Sequence, residues 1–115
     1  MSLPGVIIND RRAHDRHPFR TSAALVMSDG RVLQARTLDV GKGGAGVVVD
    51  VSLPVDAGLT IRMNLPARPT GSALFEARAT VVSCSLAGSE GGFRIGLQFG
   101  TLEASALAAL KGVLP

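Results

Sequence analysis

Three stretches of the chain alternate apolar and polar residues with a period of two. The first covers residues 59–65, the second has its apolar positions at Phe75, Ala77, Ala79 and Val81, and the third covers residues 93–99. Such alternation is typical of a β-strand with one face on a hydrophobic core and the other in solvent. Three further apolar segments precede them, at residues 22–28, 31–38 and 45–51, and turn residues separate all six. Six short strands with this spacing predict an antiparallel barrel or sandwich.

After residue 100 the apolar residues follow the spacing of a helix. The positions that recur in this way are Leu102, Ala106, Ala109, Leu110 and Val113. Thr101 is expected to cap the N-terminus of this helix, and Gly112 is expected to end it. We therefore predict a helix over residues 101–113 that covers one mouth of the barrel.

The length of 115 residues predicts a single domain. We expect residues 1–10 to form a flexible tail and residues 11–115 to form one domain, with an arm at 11–20, a barrel at 22–100 and the C-terminal helix. No apolar run approaches the length of a membrane span, so we expect no membrane insertion. The single cysteine, Cys84, cannot form an intrachain disulfide, which favours a cytoplasmic location.

Two unusual stretches carry the features expected of a binding site. Four glycines fall within residues 39–46, between two predicted strands, and four arginines fall within residues 11–20. Glycine permits positive φ and lets a ligand approach the backbone closely, while Asp39 adds a carboxylate to the turn. Arginine makes paired hydrogen bonds with phosphate or a guanine edge and stacks on bases. Together the two stretches predict a site for an anionic ligand that carries guanine bases.

Both stretches resemble the motifs of PilZ domains, which are bacterial receptors for cyclic di-GMP. Residues 12–16 (RAHDR) match the RxxxR motif of that family, and residues 39–44 (DVGKGG) are similar to its second motif, (D/N)xSxxG. Residues 93–99 (FRIGLQF) resemble its closing strand. The resemblance extends from Asp10 to the C-terminal helix. It implies an all-β fold with a C-terminal helix, in which six antiparallel strands close into a barrel.

The resemblance also implies which residues bind cyclic di-GMP. Arg12 and Arg16 would meet a guanine or a phosphate, and Asp39 would accept hydrogen bonds from N1–H and N2–H₂ of guanine. The backbone at the turn glycines would let N–H groups approach the ligand. The implied site residues are Arg11, Arg12, Arg16, Asp39, Gly41, Gly43 and Gly44.

Two features leave alternatives open at this site. Gly41 stands where the family motif has a serine, so one hydroxyl is missing. The loss of one neutral hydrogen bond costs about 0.5–1.5 kcal/mol, which weakens binding without abolishing it. Residues 16–20 (RHPFR) also fit RxxxR. The pair Arg12 and Arg16 is preferred, because Arg20 lies almost at the start of the first strand, where the pleat fixes its direction.

The sequence does not favour an enzyme. The two histidines, His14 and His17, both lie in the basic arm without a cluster of carboxylates or cysteines, so no metal site is expected. No cofactor is expected, and the ligand that the resemblance implies is cyclic di-GMP. The predicted function is a receptor or adaptor domain that changes its conformation or its contacts with an unidentified protein partner on binding the dinucleotide.

Two other functions are weighed against this one. A degenerate PilZ-like adaptor would bind no nucleotide and would act through protein contacts alone, and Gly41 is the main evidence for it. A general nucleic-acid binder would use the basic arm. The chain has no Trp or Tyr and only four Phe, whereas sequence-tolerant binding of single strands depends on aromatic stacking. We therefore expect no DNA partner.

Overall fold

The computed structural model describes residues 16–67 and 69–114. Within them lie seven strands and one α-helix. The strands are β1 (His17–Pro18), β2 (Ser22–Met27), β3 (Val32–Val40), β4 (Gly44–Val49), β5 (Gly58–Pro66), β6 (Ser72–Leu86) and β7 (Phe93–Phe99), and the helix is α1 (Ala104–Lys111). Arg11, Arg12 and His14 lie outside the described residues, as does the predicted tail.

Six of the strands close into an antiparallel barrel. The order around the ring is β3, β2, β5, β6, β7 and β4, and β4 pairs with β3 to complete it. Every pairing in the ring is antiparallel. This arrangement confirms the predicted fold, a six-stranded antiparallel barrel followed by a C-terminal helix.

The short strand β1 continues the line of β2 along one edge of β3. His17 lies opposite Val40 and Pro18 lies opposite Asp39. The other edge of β3 is taken at these residues by β4, which places Gly46 opposite Asp39. The segment that precedes β2 is therefore held beside the end of β3 where the Gly-rich turn begins.

The barrel interior is filled by apolar side chains, as the alternating pattern predicts. Ile61 and Ile95 have no exposed surface and Ala77 is 7% exposed, so an apolar position of each alternating stretch faces the core as expected. The rings of Phe75 and Phe99 are 5.1 Å apart between centroids. In β4 every residue is buried, which agrees with its uninterrupted run of valines.

Two elements differ in extent from the sequence-based expectation. Strand β6 runs to Leu86, well beyond the predicted end at Val81, because a bulge between Val81 and Ser83 lets it continue along β7. The residues beyond the bulge are largely exposed, so no burial pattern marks them in the sequence.

Helix α1 begins later than predicted, and the prediction that Thr101 caps it is wrong. The N-cap is Glu103, whose backbone is extended (φ −74°, ψ 162°), and no side chain caps the helix. Gly112 follows the helix with φ −68°, so it does not end the helix by turning left-handed. A Cβ there would lie 3.0 Å from the Pro66 carbonyl oxygen, so glycine allows close packing on β5. In the part of the chain that the structure describes, no helix has the length and hydrophobicity needed to cross a membrane.

Candidate functional site

Arg16 and Asp39 meet on the outside of the barrel. Arg16 directly precedes β1, and the pairing of β1 with β3 brings it beside the carboxylate of Asp39. The Nη1–Oδ1 distance is 3.5 Å, and both side chains are partly exposed. Charge-assisted hydrogen bonds are normally about 2.7–2.9 Å long, so this ion pair is loose. Both groups therefore keep hydrogen-bonding capacity for a ligand.

The carboxylate of Asp39 is also held from β4. The backbone N–H of Gly46 donates a hydrogen bond of 2.9 Å to Asp39 Oδ1. The register of β3 against β4 shifts between Thr37 and Asp39, and beyond this shift Asp39 lies opposite Gly46. The backbone donor of Gly46 therefore orients the carboxylate, beside which the Arg16 guanidinium lies.

The glycines of β4 let neighbouring groups of the protein lie close to the backbone of this strand. A Cβ on Gly44 would overlap the Leu97 carbonyl oxygen and lie 3.1 Å from Arg16 Nη2, and a Cβ on Gly46 would lie 3.0 Å from Asp39 Oδ1. Larger residues at these positions would push against the two charged side chains. The space beside Gly44 that was expected to admit a ligand is thus filled in this structure by the Leu97 carbonyl and the Arg16 side chain.

Positive φ, the other property expected of the turn glycines, is found elsewhere. Among the described residues, the glycines with positive φ are Gly30, Gly71, Gly88, Gly91 and Gly92. The Gly-rich turn is held instead by backbone hydrogen bonds: Gly41 N–H donates to the Gly44 carbonyl at 2.9 Å, and the Gly43 carbonyl accepts from Phe99 N–H at 2.8 Å. Gly41 is buried, whereas Gly43 is exposed with open space where its Cβ would be.

Arg20, the second arginine of the alternative RxxxR register, binds a different acid. It makes two hydrogen bonds to Glu90, of 3.3 Å and 3.0 Å, and Arg36 Nη2 lies 3.4 Å from the same carboxylate. The hydrogen bonds and charge of Arg20, with a smaller contribution from Arg36, lower the pKa of Glu90 below its ordinary value. The same partner raises the pKa of Arg20. The structure therefore brings Arg16, and not Arg20, to Asp39.

Sequence reasoning missed Thr37, the buried polar side chain that holds the segment after Arg16. Its hydroxyl donates to the Phe19 carbonyl at 2.6 Å and accepts from Thr21 N–H at 2.9 Å. Both bonds join β3 to the connection between β1 and β2. Thr37 follows Ala35 by two residues, so both side chains lie on the inward face of β3. A polar residue at such an inward position is the sequence signal that could have identified Thr37.

The described residues contain no group of three or more His, Cys, Asp or Glu side chains that could hold a metal ion. His17 lies in β1 opposite Val40. The candidate site on the barrel surface consists of the loose Arg16–Asp39 ion pair next to the glycines of β4. Such a surface can bind a planar or anionic ligand through hydrogen bonds, stacking and charge.

Comparison with known proteins identifies the family and the fold of this chain. A model of the PilZ domain family matches residues 10–114. No curated protein matches the sequence. Among solved structures, that of the Bacillus subtilis inhibitor of motility (MotI/DgrA) is similar, with a TM-score of 0.71 and 16% sequence identity. The match covers 84% of this chain and 46% of that one, so the chain spans less than half of that protein's length.

At that identity the structural likeness concerns the fold alone. The family match rests on the sequence and takes in both motif regions, the barrel and the helix. Because it extends over nearly the whole chain, this chain belongs to the PilZ domain family.

Proposed function

We propose that this domain is a receptor for cyclic di-GMP and that it passes the signal to a protein partner. The observation that carries the proposal is the meeting of Arg16 and Asp39 over Gly44 and Gly46 on the outside of a PilZ barrel. The domain binds its ligand and has no catalytic role. Its cytoplasmic location stays a prediction.

Arg16 recognises the dinucleotide by charge and by stacking. Its guanidinium is held only loosely by Asp39 and is partly exposed, so it can turn to a phosphate or stack on a guanine face. Arg12 and Arg11 bring further guanidinium groups from the segment that precedes the described residues. Binding then changes the surface that a partner meets at the arginine arm.

Asp39 selects guanine. Its carboxylate accepts hydrogen bonds only, and guanine offers N1–H and N2–H₂ on one edge. Adenine has no donor at N1, so the same carboxylate would face an acceptor. The orientation imposed by Gly46 N–H places this carboxylate before the ligand arrives, which lowers the cost of ordering it on binding.

A second candidate function is a PilZ-like adaptor that binds no nucleotide and acts only through protein contacts. Gly41 favours it, because the family motif has a serine hydroxyl at that position. The loss of one neutral hydrogen bond is worth about 0.5–1.5 kcal/mol, and a water can recover part of it. We therefore favour the receptor, with micromolar affinity.

Calorimetric titration of the domain with cyclic di-GMP tests the proposal. Arg16→Ala should weaken binding by about 1.5–3 kcal/mol, as expected for a charge-assisted contact, and should leave the barrel folded. Arg62→Ala is the matched control, because Arg62 is an exposed arginine that pairs with Glu76 on β5 and β6. Equal affinity in the Arg16 and Arg62 variants would show that the predicted site is wrong. Absence of binding in the unmodified chain would leave the adaptor as the function.

A further inference from the structure

Strand β6 extends past its neighbour β5, so one of its edges is left without a strand beside it. The pairing of β6 with β5 ends at Thr80. At the next residue, Val81 N–H donates to the Ala57 carbonyl in the loop before β5, at 2.9 Å. Residues 83–86 then pair with β7 on one side, and among the described residues no strand lies on their other side. We call residues 83–86 the free edge of β6.

Backbone groups on the free edge are placed to accept a further strand. The Ala87 N–H donates to the Gly92 carbonyl across the turn that leads to β7, at 3.0 Å. Backbone groups alternate in direction along a strand, so those of Ser85 face β7, whereas those of Cys84 and Leu86 face the open side. An unpaired strand edge of this kind is a template for the addition of another chain.

The free edge lacks the residues that usually prevent strand addition. Native edge strands commonly carry charged side chains or proline. Residues 79–86 (ATVVSCSL) contain neither. Leu86, the last residue of the strand, is 79% exposed. This edge is therefore uncharged and ends in an exposed apolar side chain.

The sequence of the free edge is symmetric about Cys84, because Ser83 precedes it and Ser85 follows it. If two copies pair antiparallel about a two-fold axis at Cys84, each Ser83 lies opposite Ser85 of the other copy. Opposed hydroxyl side chains form a favourable cross-strand pair, and both serines are exposed. The free edge is thus complementary to itself, as a two-fold interface requires.

The same pairing brings exposed apolar side chains together. It places Leu86 of one copy opposite Val82 of the other. The Asp56 N–H donates to the Val81 carbonyl at 2.8 Å, so the turn that carries Val55 lies beside this position. Leu86 and Val55 are 79% and 54% exposed in the single chain. Pairing of two copies therefore places Leu86 of one copy near Val55 of the other.

Arg94, which lies opposite Ser85 on β7, does not oppose this pairing. In the paired copies the strands lie in the order β7, β6, β6, β7. The two Arg94 residues are then three strand spacings apart, about 14 Å. This exceeds the Debye length at physiological salt, about 8 Å, so their repulsion is screened.

We propose that the free edge of β6 binds the same edge of a second copy of this chain, antiparallel about Cys84, so that two barrels form a symmetric dimer. The inference does not rest on the proposed function, because β7 and β4 separate β6 from Asp39 on β3. Since the paired segment is short, the dimer is weak and its population rises with protein concentration.

Charge variants of the two serines test both the pairing and its register. In Ser83→Lys/Ser85→Lys, lysine faces lysine across the two-fold axis, and like charges directly opposite one another destabilise a strand pair. Ser83→Glu/Ser85→Glu sets carboxylates opposite one another in the same way. An equal mixture of the two variants sets lysine opposite glutamate and should restore the dimer. Ser28→Lys/Ser72→Lys is the control, because it adds the same charge at two exposed serines outside the free edge.

Sedimentation equilibrium with a reductant present measures the mass at rising protein concentration, and thermal unfolding checks that each variant folds. We expect the unmodified chain and the control to dimerise with a Kd below about 1 mM. Each charge variant alone should associate about tenfold more weakly or less, and the mixture should associate like the unmodified chain. A single-chain mass for the unmodified protein at every concentration, or equal association of all variants, would overturn the inference. A mixture that stays monomeric would show that the register about Cys84 is wrong.

Cys84 gives a second measurement that needs no change of charge. Opposite residues in a hydrogen-bonded antiparallel pair have Cα atoms about 5.5 Å apart, which suits a disulfide. Diamide takes up two hydrogen atoms as two thiols join, and it should link the unmodified chain into a dimer. The variant Cys84→Ser/Ser28→Cys carries its thiol at an exposed position outside the free edge and should be linked more slowly, although Cys84 itself is half-buried. Faster linking of this variant would contradict the dimer.

Discussion

Gly41 is the single residue at which this site departs from the PilZ motif. It is buried, its N–H donates to the Gly44 carbonyl, and it is not among the described glycines with positive φ. A serine can therefore adopt its backbone conformation. Gly41→Ser should strengthen cyclic di-GMP binding by up to about 1 kcal/mol, measured by calorimetry.

Weaker binding of the serine variant would show that the site requires the absence of a side chain at Gly41. The adaptor function gives a different result for the same pair of proteins. The unmodified chain would then show no binding, and the serine variant would bind only if the rest of the site is intact.

The arginines of the arm show what sequence reasoning reaches at the scale of a residue. The resemblance to the PilZ motifs pointed to Arg16 and Asp39, and the structure brings them together. It could not identify Glu90 as the partner of Arg20, because that ion pair joins residues that only the folded barrel brings together. Nor could it place Gly46 opposite Asp39, because no burial pattern marks the register shift between Thr37 and Asp39.

At the scale of elements, Glu90 joins the β6–β7 connection to the start of β2 and to β3. Arg20 and Arg36 both bind its carboxylate, and together they lower the pKa of Glu90 from its ordinary value of 4.5. A carboxyl group with a lowered pKa stabilises the fold above its unfolded pKa, and this stabilisation is lost as the pH falls through the folded pKa. The unmodified chain should therefore lose stability more steeply below about pH 4.5 than Glu90→Gln does.

Urea unfolding of both proteins between pH 3 and pH 6 (roughly the range over which carboxyl groups titrate) measures this difference. Glu90→Gln in an Arg20→Ala background is the control, because Arg20 is the main cause of the shift. In that background the pH-dependent difference should shrink. An equal difference in both backgrounds would show that Arg20 does not stabilise the ionised Glu90.

Helix α1 contributes to stability through one side of its surface. Leu110 is 1% exposed and belongs to the core, whereas Leu107 in the same helix is 41% exposed. The helix packs on β6 and β5. Leu110→Ala should cost about 2–5 kcal/mol of unfolding free energy, as for a buried leucine that leaves a cavity.

The matched variant Leu107→Ala should cost less than about 1 kcal/mol, because most surface substitutions have small effects. Urea unfolding at neutral pH measures both. Similar losses in the two variants would contradict the packing of the helix described here.

For the whole molecule, the period of the apolar residues was sufficient to predict the barrel. Strands with one face on the core and one in solvent carry that period, and Ile61, Ala77 and Ile95 all face inward. The alternation of apolar and polar residues does not predict the second half of β6 or the short strand β1. These segments are strands because they pair with β7 and β3, and not because one of their faces is buried. The start of α1 was also missed, because Thr101 looks like a cap but the backbone becomes helical only after Glu103.

The central claim is that this PilZ barrel binds cyclic di-GMP by its guanine bases and its phosphates. Calorimetric titration of the unmodified chain with cyclic di-GMP and, in parallel, with cyclic di-AMP tests it most directly. We expect saturable binding of cyclic di-GMP in the micromolar range and binding of cyclic di-AMP weaker by tenfold or more, because Asp39 would face an unpaired acceptor (about 1–3 kcal/mol). Equal affinity for the two dinucleotides, or no saturable binding of cyclic di-GMP, would contradict this account.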